Sequence, residues 1–186
     1  MAILTYENFQ QLRDVLVELH DKSDYELCIV GTAILDEHLG EYIKKKYPNA
    51  NQDAIKAMLG DNGVLSRNAN KINFASFTGI IHQEIIVNLK IVSNVRNKFS
   101  HRIRTSFDDP DISGRINKLT IVTVDDLKKL NIFKFDKDFY QYEGQPNLSV
   151  VDSHGFGVAD FHLPNIATNR GRYLSAIILL FTSLIC

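Results

Sequence analysis

An arginine, an asparagine and a histidine lie within six residues of one another in the stretch VRNKFSHRIR, Val95–Arg104. Each has its own chemical capacity. His101 can exchange a proton near neutral pH, Arg96 can stabilise charge on a phosphoryl group, and Asn97 can orient an oxygen by hydrogen bonding. Acting together without a metal, they would cleave RNA: His101 would activate a 2′-hydroxyl and Arg96 would stabilise the crowded phosphoryl transition state. Lys98, Arg102 and Arg104 make the surroundings basic, which suits phosphate contact. A solvated helix end has the same composition.

Helical phase separates these residues. Ile85, Leu89, Val92, Arg96 and Phe99 recur at spacings of four, three, four and three, which is one stripe of an α-helix. That stripe points Arg96 inward, where a guanidinium keeps its charge and needs a carboxylate to offset its desolvation. Asp36, in AILDEHL just past the most apolar part of an earlier helix, is the expected partner, with Glu37 as second choice. Such a pair would fix the register of two packed helices. Lys90, Ser93, Asn94, Asn97 and His101 form the neighbouring polar side. In an unbroken helix Arg96 and His101 are about 140° apart, so they converge only if the chain ends or bends near Ser100, or if the arginine reaches round. A structural ion pair and a phosphate-handling site both remain open.

Other chemistry-bearing clusters are weaker. Asp152, Ser153 and His154 have the letters of a hydrolase triad, but adjacent residues point different ways and no nucleophile elbow surrounds Ser153. Asp160 and His162 would share a strand face and could join His154 at a metal, without a further ligand at useful spacing. The three carboxylates of SFDDPDI read as helix initiation, with Asp109 as cap, Pro110 at the first helical position and Asp111 in the first turn. GDNGVLS lacks the lysine and spacing of a phosphate-binding loop. The expectation is therefore no metal and no cofactor.

The elements that must hold these residues follow from composition and periodicity. With 186 residues and 45% apolar content the chain can bury a core and suits one domain, residues 1–186. Its formal net charge of −1 provides no global attraction to nucleic acid or an anionic membrane. Cys28 and Cys186 show no ligand spacing or disulfide framework, and no signal core opens the chain, so a cytoplasmic protein with reduced thiols is expected. Tyr173–Ile185 is shorter than the roughly 20 residues a spanning helix needs, and it carries Ser175, Thr182 and Ser183. It is expected to be a buried terminal helix, with no membrane partner.

Thr5 can cap a first amphipathic helix carrying Phe9, Leu12, Leu16 and Leu19. A second, from about Asp24 to Lys46, is apolar on nearly every side through LCIVGTAIL and should be central. Lys44, Lys45, Lys46 and Pro48 form its stop. A short helix through Ile55–Leu59 ends at Gly60, where GDNG supplies residues that tolerate positive φ. Ser66 is expected to cap a helix with Ile72, Phe74 and Phe77, ending near Gly79. A further helix runs from Gln83 to about Phe99. After Leu119 the β-branched LTIVTV and two aromatic-rich stretches, 133–142 and 148–163, the second with glycines, predict an irregular insertion, about 120–168, with short strands such as a hairpin. Helix returns at about Asn169. The fold class is all-α, a helical bundle with that insertion before the last helix.

RNKFSH resembles the R-N-x-x-x-H signature of the HEPN superfamily, helical domains that include dimeric, metal-independent endoribonucleases with one motif per subunit at the interface. CIVGTAILDEHL, MLGDNGVLSRNANKINFASFTGII, IVSNVRNKFSH and SFDDPDI resemble, in that order, segments of the mannitol operon repressor (MtlR-like) family. GRYLSAIILLFTSLI resembles its last helix. The resemblance covers roughly residues 24–119 and 169–186. Val64 replaces the proline of the family's Gly-Pro-Leu-Ser, and Ser100 replaces the alanine of its Phe-Ala-His. It implies an HEPN-like, MtlR-like bundle, a homodimer, and a bacterial regulator of a sugar-uptake operon. No helix-turn-helix or basic recognition helix is present, so regulation through a protein partner is expected. The alternatives are an endoribonuclease using Arg96, Asn97 and His101 on RNA, or a nucleotide- or phosphate-binding module without turnover.

Overall fold

A computed structural model describes residues 6–101, 104–123, 133–135, 147–151, 157–162 and 165–185. Among them seven helices follow in chain order: α1 (Tyr6–His20), α2 (Asp24–Lys46), α3 (Gln52–Leu59), α4 (Asn68–Thr78), α5 (Gln83–Ser100), α6 (Pro110–Ile116) and α7 (Asn169–Ile185). Three strands lie between α6 and α7: β1 (Phe133–Phe135), β2 (Asn147–Val151) and β3 (Gly157–His162), paired antiparallel in the order β1-β2-β3. The fold is the expected all-α bundle, and the insertion's short strands make a meander of two ladders. LTIVTV does not become a strand in its described part. Leu119, Ile121 and Val122 instead enter the core from irregular backbone.

The boundaries of α2 follow from local chemistry. Ser23 accepts from the Glu26 amide while Glu26 accepts from the Ser23 amide, a reciprocal cap on two otherwise orphaned donors. Lys44, Lys45 and Lys46 occupy the last turn, where cations complement the free carbonyls. α2 packs against α1, α4, α5 and α7, which makes it the central helix. Its buried residues form a stripe from Leu27 to Ile43, and Ala33 on another side is exposed, so the helix is less enclosed than its apolar run predicts. α7 is buried over nearly its whole length, as its composition requires. No helix among the described residues is long and apolar enough to cross a membrane.

Two connections hold the helices around α7. Arg170 Nη1 pairs with Asp24 Oδ1 at 2.8 Å, and its other terminal nitrogen donates to the Lys22 carbonyl. Arg172 donates to the carbonyls of Ile116 and Leu119, 3.3 and 2.9 Å away. Asn88, fully buried on α5, donates to the Glu84 carbonyl and Thr120 Oγ1 and accepts from the Thr120 and Ile121 amides. The irregular segment after α6 is thereby tied to the bundle, since each of those groups would otherwise be short of a partner.

Several local expectations need correction. Arg67, not Ser66, is the N-cap of α4, and its side chain makes no capping bond. α3 begins earlier, at Gln52, because Asn51 caps it through the Ala54 amide at 2.7 Å. Gly60 has φ −67°, so the GDNG turn does not use a positive φ there. Gly63 is needed for close approach instead: a Cβ would lie 2.5 Å from the Met58 carbonyl oxygen. The positive φ falls at Gly79, 67°, which ends α4 in the left-handed region. Phe77 is 91% exposed, and the face of α4 that packs inward carries Lys71, Ile72 and Ala75. Asp109 is the positional N-cap of α6 with Pro110 at the first turn, although the aspartate side chain makes no capping bond. Thr5 lies outside the described residues.

Candidate functional site

Arg96 is exposed, and Asp36 belongs to another cation. Lys71 Nζ lies 2.8 Å from Asp36 Oδ1 and 3.1 Å from the Asp36 carbonyl oxygen, joining α4 to α2. Lys71 is itself buried and lies against Gly40 of α2, where a Cβ would make ordinary van der Waals contact with its Nζ at 3.7 Å. The expected Arg96–Asp36 pair therefore does not form. Its physical cause is a drift of the buried stripe around α5. Ile86 and Leu89 are buried on one side of Val92, but Val95 and Phe99 are buried on the other. Arg96 lies about 40° from Val92 on the first side, at a level where the neighbouring helices leave a cleft.

That cleft has a volume of about 550 Å³ and is formed by three helices. Ile29, Thr32, Ala33 and Asp36 line it from α2, at the three- and four-residue spacings of a single helical face. Ser93, Arg96 and Asn97 line it from α5, and Arg67, Asn68 and Ala69 bring in the start of α4. Arg96 Nη1 donates to Asn97 Oδ1 at 3.4 Å, and neither Arg96 nor Arg67 has a carboxylate partner among the described residues. Glu37, the second-choice partner, is exposed. Two guanidinium charges thus face the cleft without an ion-pair partner among the described residues.

Beneath the cleft, Thr32 connects the surface to a buried polar pair. Its hydroxyl donates to the Cys28 carbonyl at 2.7 Å and lies 3.2 Å from the Tyr173 hydroxyl, which is 3.5 Å from Cys28 Sγ. Burial pushes the Cys28 thiol up to about 12, against the opposing pull of the Tyr173 hydroxyl bond and the Arg96 charge. Burial also holds the Tyr173 phenol well above its ordinary range, with the neighbouring Cys28 adding to the shift. Neither group is a nucleophile or base at neutral pH. The pair had no distinctive sequence signal, since both residues sit in apolar runs.

α5 ends at Ser100, and His101 is its C-cap, with φ −105° and ψ 1°. Its amide contacts the Lys98 and Phe99 carbonyls, and its exposed side chain is not among the residues lining the cleft. The helix end thus does not reunite His101 with Arg96 and Asn97 around the cleft. Lys98 turns to Asp111 on α6, with Nζ 2.8 Å from Oδ2, and this contact is the first cause of a lowered Asp111 carboxyl pKa. Arg104 is exposed, while Arg102 lies outside the described residues. Asp152, Ser153 and His154 also lie outside them. Asp160 and His162 occupy alternate positions of β3, opposite Ser149 and Asn147.

Comparison of the chain with protein-family models, with curated proteins and with solved structures returns no match. Two guanidiniums, two amides and the Ser93 hydroxyl can bind and orient an oxygen-rich anion, while the Thr32 hydroxyl is already committed to the Cys28 carbonyl. Among the described residues the one lining carboxylate is already engaged by Lys71, and no histidine lines the cleft.

Proposed function

We propose that this chain is a bacterial regulatory protein of the mannitol-operon-repressor kind, a cytoplasmic homodimer that acts on transcription through contacts with another protein. The separation of His101 from the Arg96–Asn97 cleft supports a non-catalytic role. Among the described residues the cleft's lining holds cationic, amide and hydroxyl groups but no histidine to carry a proton, which supports binding without turnover. The order of the segments from CIVGTAILDEHL to SFDDPDI supports the family reading, and the lack of a basic recognition helix favours a protein partner over direct base reading. Deleting the gene is expected to raise the transcripts of a sugar-uptake operon. Unchanged levels of all such transcripts would overturn this reading.

One observation favours a second reading, a metal-independent endoribonuclease. Arg96, Asn97 and His101 are all exposed near one end of α5, where a second copy of the chain could contribute its own set. Incubating the purified protein with varied RNAs in EDTA separates the two. Cleavage by the wild type that is lost in a folded His101→Ala variant would establish the ribonuclease and remove the non-enzymatic reading; intact RNA is the expected result.

A further inference from the structure

We propose that the cleft between α2, α4 and α5 binds a small organic phosphate, with the phosphate held by Arg67 and Arg96. The inference rests on the non-catalytic reading of that cleft. Two guanidiniums line one concave surface, and neither is paired with a carboxylate among the described residues. Asp36 lines the same cleft but is committed to Lys71 through both its carboxylate and its backbone carbonyl. An anion supplies the missing counter-charge, and arginine's planar fork matches phosphate oxygens with two donors at a time.

The backbone contributes in the same direction. Arg67, Asn68 and Ala69 are the N-cap and first two residues of α4, an eleven-residue helix whose cap side chain satisfies none of its amides. Asn68 and Ala69, whose amides have no hydrogen-bond partner among the described residues, line the cleft at the positive end of the helix dipole, while the Asn70 amide is taken by the Arg67 carbonyl. The chemistry of the remaining wall defines the rest of the ligand. Asp36 repels a second anionic group and accepts from a hydroxyl or amine, while Asn68, Ser93 and Asn97 offer both donors and acceptors. The volume of about 550 Å³ far exceeds a bare phosphate and falls within the range of small-molecule sites. The ligand class is thus a phosphate monoester whose body carries hydrogen-bond donors.

Calorimetric titration of the full chain at low salt tests the assignment with inorganic phosphate, ribose 5-phosphate and AMP. At least one ester is expected to bind more tightly than inorganic phosphate. Arg67→Gln and Arg96→Gln should each weaken it by about ten- to a hundredfold, the loss of a charge-assisted contact, while Lys45→Gln, on an exposed residue away from the cleft, changes nothing. Both arginines are exposed and outside any ion pair among the described residues, and circular dichroism checks that the variants remain folded. No binding of any probe at millimolar concentration, or binding indifferent to both substitutions, would overturn the site. Equal affinity for inorganic phosphate and both esters would overturn the organic-phosphate assignment. RNA cleavage lost in His101→Ala would remove the non-enzymatic regulator and leave these titrations standing; a failed titration leaves that regulator untouched.

Discussion

Replacing Lys71 by methionine isolates the contact that displaced Arg96 from Asp36. Methionine keeps most of the apolar stem and removes the charge, leaving the Asp36 carboxylate and carbonyl without the Nζ donor. Removing one partner of a fully buried pair costs about 3–5 kcal/mol. Here the lysine side chain is 9% exposed but the aspartate 30%, so water recovers part of the loss. A destabilisation of about 1.5–3 kcal/mol is expected once that screening is included. For a chain of this size it corresponds to a melting temperature lower by about 4–10 °C. Arg96→Met, at an exposed position with no ion pair among the described residues, should stay within about 0.5 kcal/mol of wild type. Lys71→Met combined with Asp36→Asn should recover part of the loss, because the neutral amide no longer needs a counter-charge. Thermal and urea unfolding of the four proteins gives the comparison. An Arg96→Met cost exceeding that of Lys71→Met would refute the assignment of Asp36 to Lys71.

Asn88→Ala should destabilise by about 2–4 kcal/mol, since it orphans the Thr120 and Ile121 amides and opens a cavity; a urea midpoint equal to wild type would show that those amides find other partners. Alkaline stability tests the buried polar pair. The folded Cys28 thiol keeps its proton to about 12 while the unfolded thiol loses it near 9.0, so its contribution is complete below the lower value and is lost as pH rises towards the upper. The slope approaches about 1.4 kcal/mol per pH unit for each such group, and Cys28→Ala should remove one proton's worth from the fall between pH 9 and 11. An unaltered slope would contradict the burial argument. The native Cys28 thiol should also react with a disulfide reagent only as fast as the protein opens.

Much of the fold is legible in short-range chemistry. Ser23 and Glu26 at the start of α2, the three lysines at its end, Pro110 opening α6 and the apolar run of α7 act within a few residues of themselves. Their effects survive any change in the remote chain. Asn51 carried a similar signal for α3, as an amide side chain three residues before an amide it can accept from. The candidate site was legible only in part. Arg96 and Asn97 do line a cleft, but Arg67, Asn68 and Thr32 come from other helices, and their meeting has no local signature.

The amino-acid sequence by itself determined the boundaries of α2, the opening of α6 at Pro110, the apolar content of α2 and α7, and the polar, basic character of Val95–Arg104, because caps, prolines and periodicity act locally. The tertiary structure decided which cation reaches Asp36. Periodicity assigns Arg96 to within about one side-chain width of the buried stripe, and a shift of 40° in what the neighbouring helices cover moves it from core to cleft. Lys71 reaches Asp36 from the inward face of α4, and Phe77 of the same helix turns outward. Such choices depend on the relative placement of helices far apart in the chain, and that placement is set by packing the whole core.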